Sequence, residues 1–273
     1  MRNTFIEKIT KLAKNNKKIF LIVGDLGFNV VEEFSNTFPD RFLNIGVSEQ
    51  NMIGVASGIA SEGMHVFVYS IANFPTFRCA EQIRNDLDYH KFPITIVSIG
   101  SGFSYGSLGY SHHAIQDIGL MRLMPNMLIC TPSDSEDVNK SVSYLVKNPQ
   151  PSYLRLDKSL ETQENNFYND IKPGVWKQIL KSKNNKCILA IGNTINKAKF
   201  LIKTKYKGYG LYKLPIWGMR YKNKQIAQLK QFEKIITIED HLIDCGFGSW
   251  IRESINNNEL ETKIINIGID NKV

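Results

Sequence analysis

The sequence predicts an α/β protein built from two doubly wound, mostly parallel sheets. Three observations carry that expectation. Short apolar segments alternate with segments of helical character along most of the chain. The apolar segments are continuous rather than alternating, the pattern of strands covered on both faces. Two such series occur with a polar stretch between them, so the 273 residues divide into two units.

Taken in order, MRNTFIEKITKLAKNNKK places Phe5, Ile6, Ile9 and Leu12 on one helical face and has no signal-peptide core, so it reads as an amphipathic helix. Residues 19–23 form a strand ending in GDLGFN, and residues 42–45 form the next. A polar turn at 46–48 leads into a small-residue helix from Glu49 to Glu62. A strand at 64–69, a helix at 76–88 and a strongly β-branched strand at 94–99 follow. Residues 127–130 are a short strand stopped by Thr131-Pro132, and SDSED opens a helix over 133–147 with an acidic first turn. Residues 152–156 close a first unit of 1–157. Residues 158–186 are polar and read as an interdomain linker. The second unit, 187–273, has strands at 187–191, 208–212, 234–239 and 263–267, with helices at 194–203 and 246–256.

Composition narrows the function. The chain is 42% hydrophobic and 22% charged, ordinary for a globular protein. It has no apolar run near the roughly 18 residues of a membrane span. Cys79, Cys130, Cys187 and Cys245 are far apart and show no metal or redox spacing, which reads as buried free thiols in a reducing cytoplasm with no metal site. Much of the net charge of +8 lies in KSKNNK, KAKFLIKTKYK and RYKNK, without a compact stripe of stacking aromatics. That is a solvated basic surface able to steer anionic substrates, rather than a nucleic-acid or membrane site.

Four segments carry candidate chemistry. Glu49 stands where its helix begins, backed by Met52, Ile53, Val55, Ala56, Ile59 and Ala60. A carboxylate so placed is poorly solvated and makes a strong proton partner for a ligand nitrogen, or else complements the helix dipole. Phe74 and Phe77 follow a strand directly, where α/β sheets bind ligands, and could stack on a flat ring or plug the core. Residues 100–117, GSGFSYGSLGYSHHAIQD, are glycine-rich; the adjacent His112 and His113 diverge, with no third ligand spaced for a metal. Arg155 ends a strand, either as a phosphate fork or as an ion pair at the domain junction.

DRFLNIGVSEQNMIGVASGIA resembles the sequence around the cofactor glutamate of transketolases and their relatives, which use thiamine diphosphate. The resemblance covers nearly the whole chain, is strongest over 24–155, and returns at IEDHLIDCGFGSWIRE. It implies two domains of thiamine-diphosphate-enzyme type: a pyrimidine-binding domain followed by a C-terminal domain. It implies that Glu49 pairs with the aminopyrimidine nitrogen N1′, that Phe74 and Phe77 stack on the ring, and that Asp25 faces the cofactor. Gly109, Ser111, His112 and Asp117 match the family's G-x-T-H-x-x-x-x-D loop, which makes His112 a catalytic and substrate contact. Arg155 and, more weakly, Asn29 become substrate contacts.

Two departures stand out. Family members acting on sugar phosphates commonly have a histidine near Gly100 and an acid at Leu108, so a different acceptor or an altered stereochemical selection is expected. The GDG…N motif that binds Mg²⁺ and the cofactor's diphosphate is also absent, since Gly24-Asp25-Leu26 is not that motif. A partner chain is therefore expected to carry it, in an α2β2 heterotetramer. The chain stops at IGIDNKV, one helix or so before family members usually do, and is expected to be cut short there. The implied reaction is transfer of a two-carbon ketol unit from a ketose or ketose phosphate to an aldehyde, in specialised sugar biosynthesis. The rivals are a 2-oxoacid dehydrogenase β subunit, a deoxyxylulose-phosphate synthase-like enzyme and a catalytically silent scaffold.

Overall fold

The computed structural model describes residues 1–158, 171–255 and 260–270. Strands β1 (Ile19–Val23), β2 (Phe42–Asn44), β3 (His65–Ile71), β4 (Ile94–Ile99), β5 (Leu128–Cys130) and β6 (Ser152–Leu156) form a parallel sheet in the order β5-β6-β4-β3-β1-β2. Every residue of β4 is buried, as is every residue of β3 before Ile71. Continuous apolar runs thus became strands covered on both faces. The chain starts at β1, runs out to β2, then crosses to β3 on the other side of β1. That reversal opens a crevice at the C-terminal ends of β1 and β3, the usual ligand position in such sheets.

The second sheet holds β7 (Lys177–Leu180), β8 (Lys186–Ala190) and β9 (Gly210–Lys213), with β11 (Lys234–Leu242) and β12 (Lys263–Ile269), in the order β12-β11-β8-β9-β7. All pairs are parallel except β7 with β9. The fold class is therefore the expected one. No helix among the described residues is long and apolar enough to cross a membrane.

Two local expectations differ from the structure, and one short strand was not among those expected. Part of the stretch read as linker, Lys177–Leu180, is an edge strand of the second sheet. Lys177 and Ile179 are only half-buried and Gln178 and Leu180 are exposed, so this edge strand has no apolar alternation to show it. Residues 159–170 of that stretch lie outside the described residues, as does residue 256 at the end of the expected last helix. Next, β10 (Ile216–Trp217) crosses back from the second unit and pairs antiparallel with β5. Trp217 anchors it: its ring lies 5.2 Å from that of Phe247 and 5.0 Å from that of Trp250, and its Nε1 donates to Thr131 Oγ1 at 3.2 Å. Finally, the helix expected over 76–88 is broken into Phe74–Phe77, Ala80–Gln82 and a wide π-helical turn at Ile83–Asp88. Such turns recur at functional sites.

The GFGS segment has a structural reason. Glu239 of β11 accepts the backbone N–H groups of Phe247 at 2.5 Å and Gly248 at 2.9 Å, which open the helix Phe247–Glu253. A Cβ on Gly246 would lie 2.1 Å from Glu239 Oε2, so only glycine lets helix and carboxylate meet. Burial pushes the Glu239 carboxyl up to about 8.

His65 opens β3 with its ring stacked on Phe67 at 4.3 Å and one nitrogen 2.9 Å from Thr95 Oγ1. Burial lowers its pKa from 6.5 to about 3. Between those values the unfolded chain binds a proton that the folded chain refuses, so stability is full above pH 6.5 and falls as pH drops. The slope reaches at most about 1.4 kcal/mol per pH unit for this group. Urea titrations from pH 7 to 5 should show a shallower fall for His65→Gln than for wild type; parallel curves would contradict the assignment.

Candidate active site

The parallel strands deliver their C-terminal ends to one edge, and the loops there form the site. After β2, Asn44 organises the turn: its Oδ1 accepts the Asp25 N–H at 3.0 Å and the Gly46 N–H at 3.1 Å, and its Nδ2 donates to Asp25 Oδ1 at 3.1 Å. Gly46 takes φ +77° and Ser48 precedes the helix Glu49–Ser61, whose first residue is Glu49. That carboxylate is only 4% exposed, although it opens a helix. Its Oε2 accepts a hydrogen bond from Arg78 Nη1 at 2.9 Å.

Arg78 also reaches Phe74. Its guanidinium carbon lies 4.1 Å from the centroid of the Phe74 ring. The Phe74 ring in turn meets His112 edge to face at 5.2 Å. His112 Nδ1 is 3.0 Å from Ser111 Oγ, and Asn73 Nδ2 donates to the Ser111 carbonyl at 3.3 Å, which fastens the His112 loop to the segment after β3. Glu49, Phe74 and His112 are thus joined in one constellation, with Arg78 and Asn73 as members not singled out from the sequence. Arg78 had a signal: it stands four residues after Phe74, the spacing that brings side chains onto one helical face. Ser48, Glu49, Gln50 and Arg78 line a cavity of about 490 Å³ beside this group.

The other expected residues lie apart from it. Asp25 is exposed, at φ +53°, on the adjoining turn. Phe77 is half-exposed one turn beyond Phe74. Asn29 donates its N–H to Glu32 Oε1 at 2.8 Å and lines a separate cavity with Asn3, Ile6 and Glu7.

Arg155 sits in a buried ion network. It is 3% exposed, and its guanidinium is taken up by Asp117 Oδ2 at 2.6 Å, Asp240 Oδ1 at 2.5 Å and the Ala114 carbonyl at 2.7 Å. Tyr153 Oη adds a hydrogen bond to Asp117 at 2.6 Å. Burial alone would disfavour the Arg155 charge; Asp117 and Asp240 reverse that and raise its pKa. This is the ion-pair alternative at the junction, because Asp240 comes from the second sheet. Lys158 is the cation that lines the junction cavity of about 620 Å³, together with Ser101, Ser104, Asn193 and Asp240.

Residues 1–163 match the family described as transketolase, pyrimidine binding domain. The chain belongs to the transketolase family. It is 31% identical to the putative transketolase C-terminal section of Methanocaldococcus jannaschii, over 99% of this chain and 86% of that protein. It is 29% identical to one of the subunits of the apulose-4-phosphate transketolase of Phocaeicola vulgatus, over 100% of this chain and 88% of that protein. Among solved structures, a split gene transketolase in an inactive β4 tetramer superposes with a TM-score of 0.85 at 25% identity, covering 98% of this chain and 88% of that one.

Against that transketolase background, the glycine at position 100 has a local cause. A Cβ there would lie 2.1 Å from the Tyr105 ring, so Tyr105 fills the room a larger residue would need. Leu108 is exposed on the same loop.

Removing one member of a buried ion pair typically costs about 3–5 kcal/mol. Arg155→Met should therefore lower unfolding stability by about that amount in urea denaturation. A variant of wild-type stability that instead loses only substrate affinity would restore the phosphate-gripping role.

Proposed function

We propose that this chain is the C-terminal subunit of a two-chain transketolase-like transferase and supplies the aminopyrimidine half of a thiamine diphosphate site. The observation that carries this is the buried Glu49 carboxylate set beside the Phe74 face. A nearly inaccessible carboxylate with one side-chain partner suits a ring nitrogen that shares a proton, and an adjacent aromatic suits a flat heterocycle. These residues fit the cofactor. When bound, it supplies the carbanion chemistry of ketol transfer.

This chain's part is positional and protonic. Glu49 holds the proton at N1′. Phe74 orients the ring by stacking, with Phe77 and Asp25 at its margin. His112, held by Ser111 and the Asn73-anchored loop, stands where it can exchange protons with substrate oxygens. Asn29 does not join this group. Lys158 lines the junction cavity beside Asp157 and Asp240, and if it is the cation that meets an anionic acceptor, Lys158→Met should raise KM for a phosphorylated substrate with kcat little changed.

The diphosphate and Mg²⁺ ligands are assigned to a partner chain carrying GDG and a downstream asparagine. Support comes from the missing motif here, from the relative named as one subunit of a transketolase, and from the split-gene enzyme with the same fold. We infer an α2β2 assembly, since cofactor sites between subunits are commonly paired by a two-fold axis. Activity on a ketose phosphate rather than on pyruvate separates this reading from the 2-oxoacid dehydrogenase and deoxyxylulose-phosphate synthase alternatives.

Glu49→Gln should fold and assemble normally yet lose about 10²–10⁴-fold in turnover with the partner present, the usual scale for losing a proton-transfer group. The wild-type control should have the mass of two chains plus two partners. Near-wild-type turnover in the variant would remove the assignment of Glu49. A control containing one chain and one partner would remove the two-fold assembly.

A further inference from the structure

Building on the half-site reading, we propose that Arg78 is a resident stand-in for the aminopyrimidine, holding Glu49 and covering Phe74 until the ring displaces it. One guanidinium makes both contacts: Nη1 lies 2.9 Å from Glu49 Oε2, and Cζ lies 4.1 Å from the Phe74 centroid. A guanidinium and a protonated aminopyrimidine share the relevant chemistry. Both are flat, delocalised C–N groups that donate N–H to a carboxylate edge and lie on an aromatic face.

A buried carboxylate without a partner is costly, so the seat needs a cation whenever the ring is away. Among the described residues, the hydrogen bond from Arg78 is the one the Glu49 carboxylate receives. Arg78 is placed to leave. Its side chain is 48% exposed, it follows the short Phe74–Phe77 helix at the break, and it lines the cavity beside Glu49. The ring would need the Phe74 face that the Arg78 guanidinium covers, and one face cannot hold both planes, so Arg78 must give up its place beside Glu49 for the ring to enter. Exchange of Arg78 for the ring leaves Glu49 satisfied throughout.

The arrangement makes Arg78 a determinant of cofactor affinity. If the seat is open only a fraction of the time, the apparent Kd rises by the inverse of that fraction. A seat closed about nine parts in ten raises Kd about tenfold.

The test titrates thiamine diphosphate with Mg²⁺ into the complex of this chain and its diphosphate-domain partner, with binding followed by heat. Arg78→Ala should bind about tenfold more tightly than wild type. Binding by wild type with equal or weaker binding by Arg78→Ala overturns this inference alone. Absence of binding in both overturns the half-site reading and this inference with it. Melting of the isolated chain at neutral pH gives a second measurement, read as a double-mutant cycle. Arg78→Ala should lower Tm in the wild-type background and leave it unchanged in a Glu49→Gln background. Equal effects in both backgrounds, or none in either, also overturn the stand-in.

Discussion

The two sheets are tied together at Arg155, and the candidate site depends on that tie. Its guanidinium leaves the end of β6, takes Asp117 and the Ala114 carbonyl from the loop that carries His112, and reaches Asp240 at the end of β11. Its neighbours reinforce it. The Leu242 N–H donates to the Ile115 carbonyl at 2.9 Å, and His241 Nε2 accepts the Gly119 N–H at 3.1 Å. That bond fixes His241 as the neutral tautomer whose Nδ1–H donates to the Leu242 carbonyl, consistent with burial holding its pKa low. Arg122 adds a bond to the Gly246 carbonyl at 2.9 Å and a bridge to Glu253. The second sheet thus grips the base of the loop whose tip presents His112. A buried ion network of this kind contributes little net stability compared with apolar packing, but it admits few alternative geometries.

At the other end of the crevice, the governing constraint is the solvation of Glu49. A helix start normally exposes its first acid to water and the backbone dipole. Here close packing removes the water and leaves one cation to answer the charge. The same desolvation that would suit the carboxylate to a ring nitrogen makes it hard to leave bare. Function and folding therefore impose opposite demands on one residue, and a half-exposed arginine can meet both in turn.

Much of this was legible in the chain. Continuous runs such as Ile19–Val23 and Ile94–Ile99 announce strands covered on both faces, and the small-residue helix behind Glu49 announces a poorly solvated acid. Phe74 is legible as a residue just past a strand end and His112 as part of a glycine-rich loop, and in the structure Arg78 links Glu49 to Phe74, which meets His112. What was hidden has physical causes. Lys177–Leu180 is at most half-buried and carries no apolar alternation, and Ile216–Trp217 is too short for its period to show. Arg155 could not be resolved from sequence, because a guanidinium fork suits a phosphate and a pair of aspartates equally well. Asp240, its partner on the second sheet, lies 85 residues away along the chain. Asn44 and Asn73 act through backbone groups brought near by folding, and no pattern along the chain encodes such contacts.

The central claim is that this chain holds one half of a shared cofactor site, and equilibrium binding of thiamine diphosphate with Mg²⁺ tests it most directly. The measurement is made on this chain alone, on a partner carrying GDG and a downstream asparagine, and on their mixture. Aminopyrimidine contacts by themselves must offset the entropy of association without the diphosphate ligands. The account predicts appreciable binding only in the mixture, with one cofactor per pair of chains. Micromolar binding to this chain alone, or a mixture no better than the partner by itself, would contradict it.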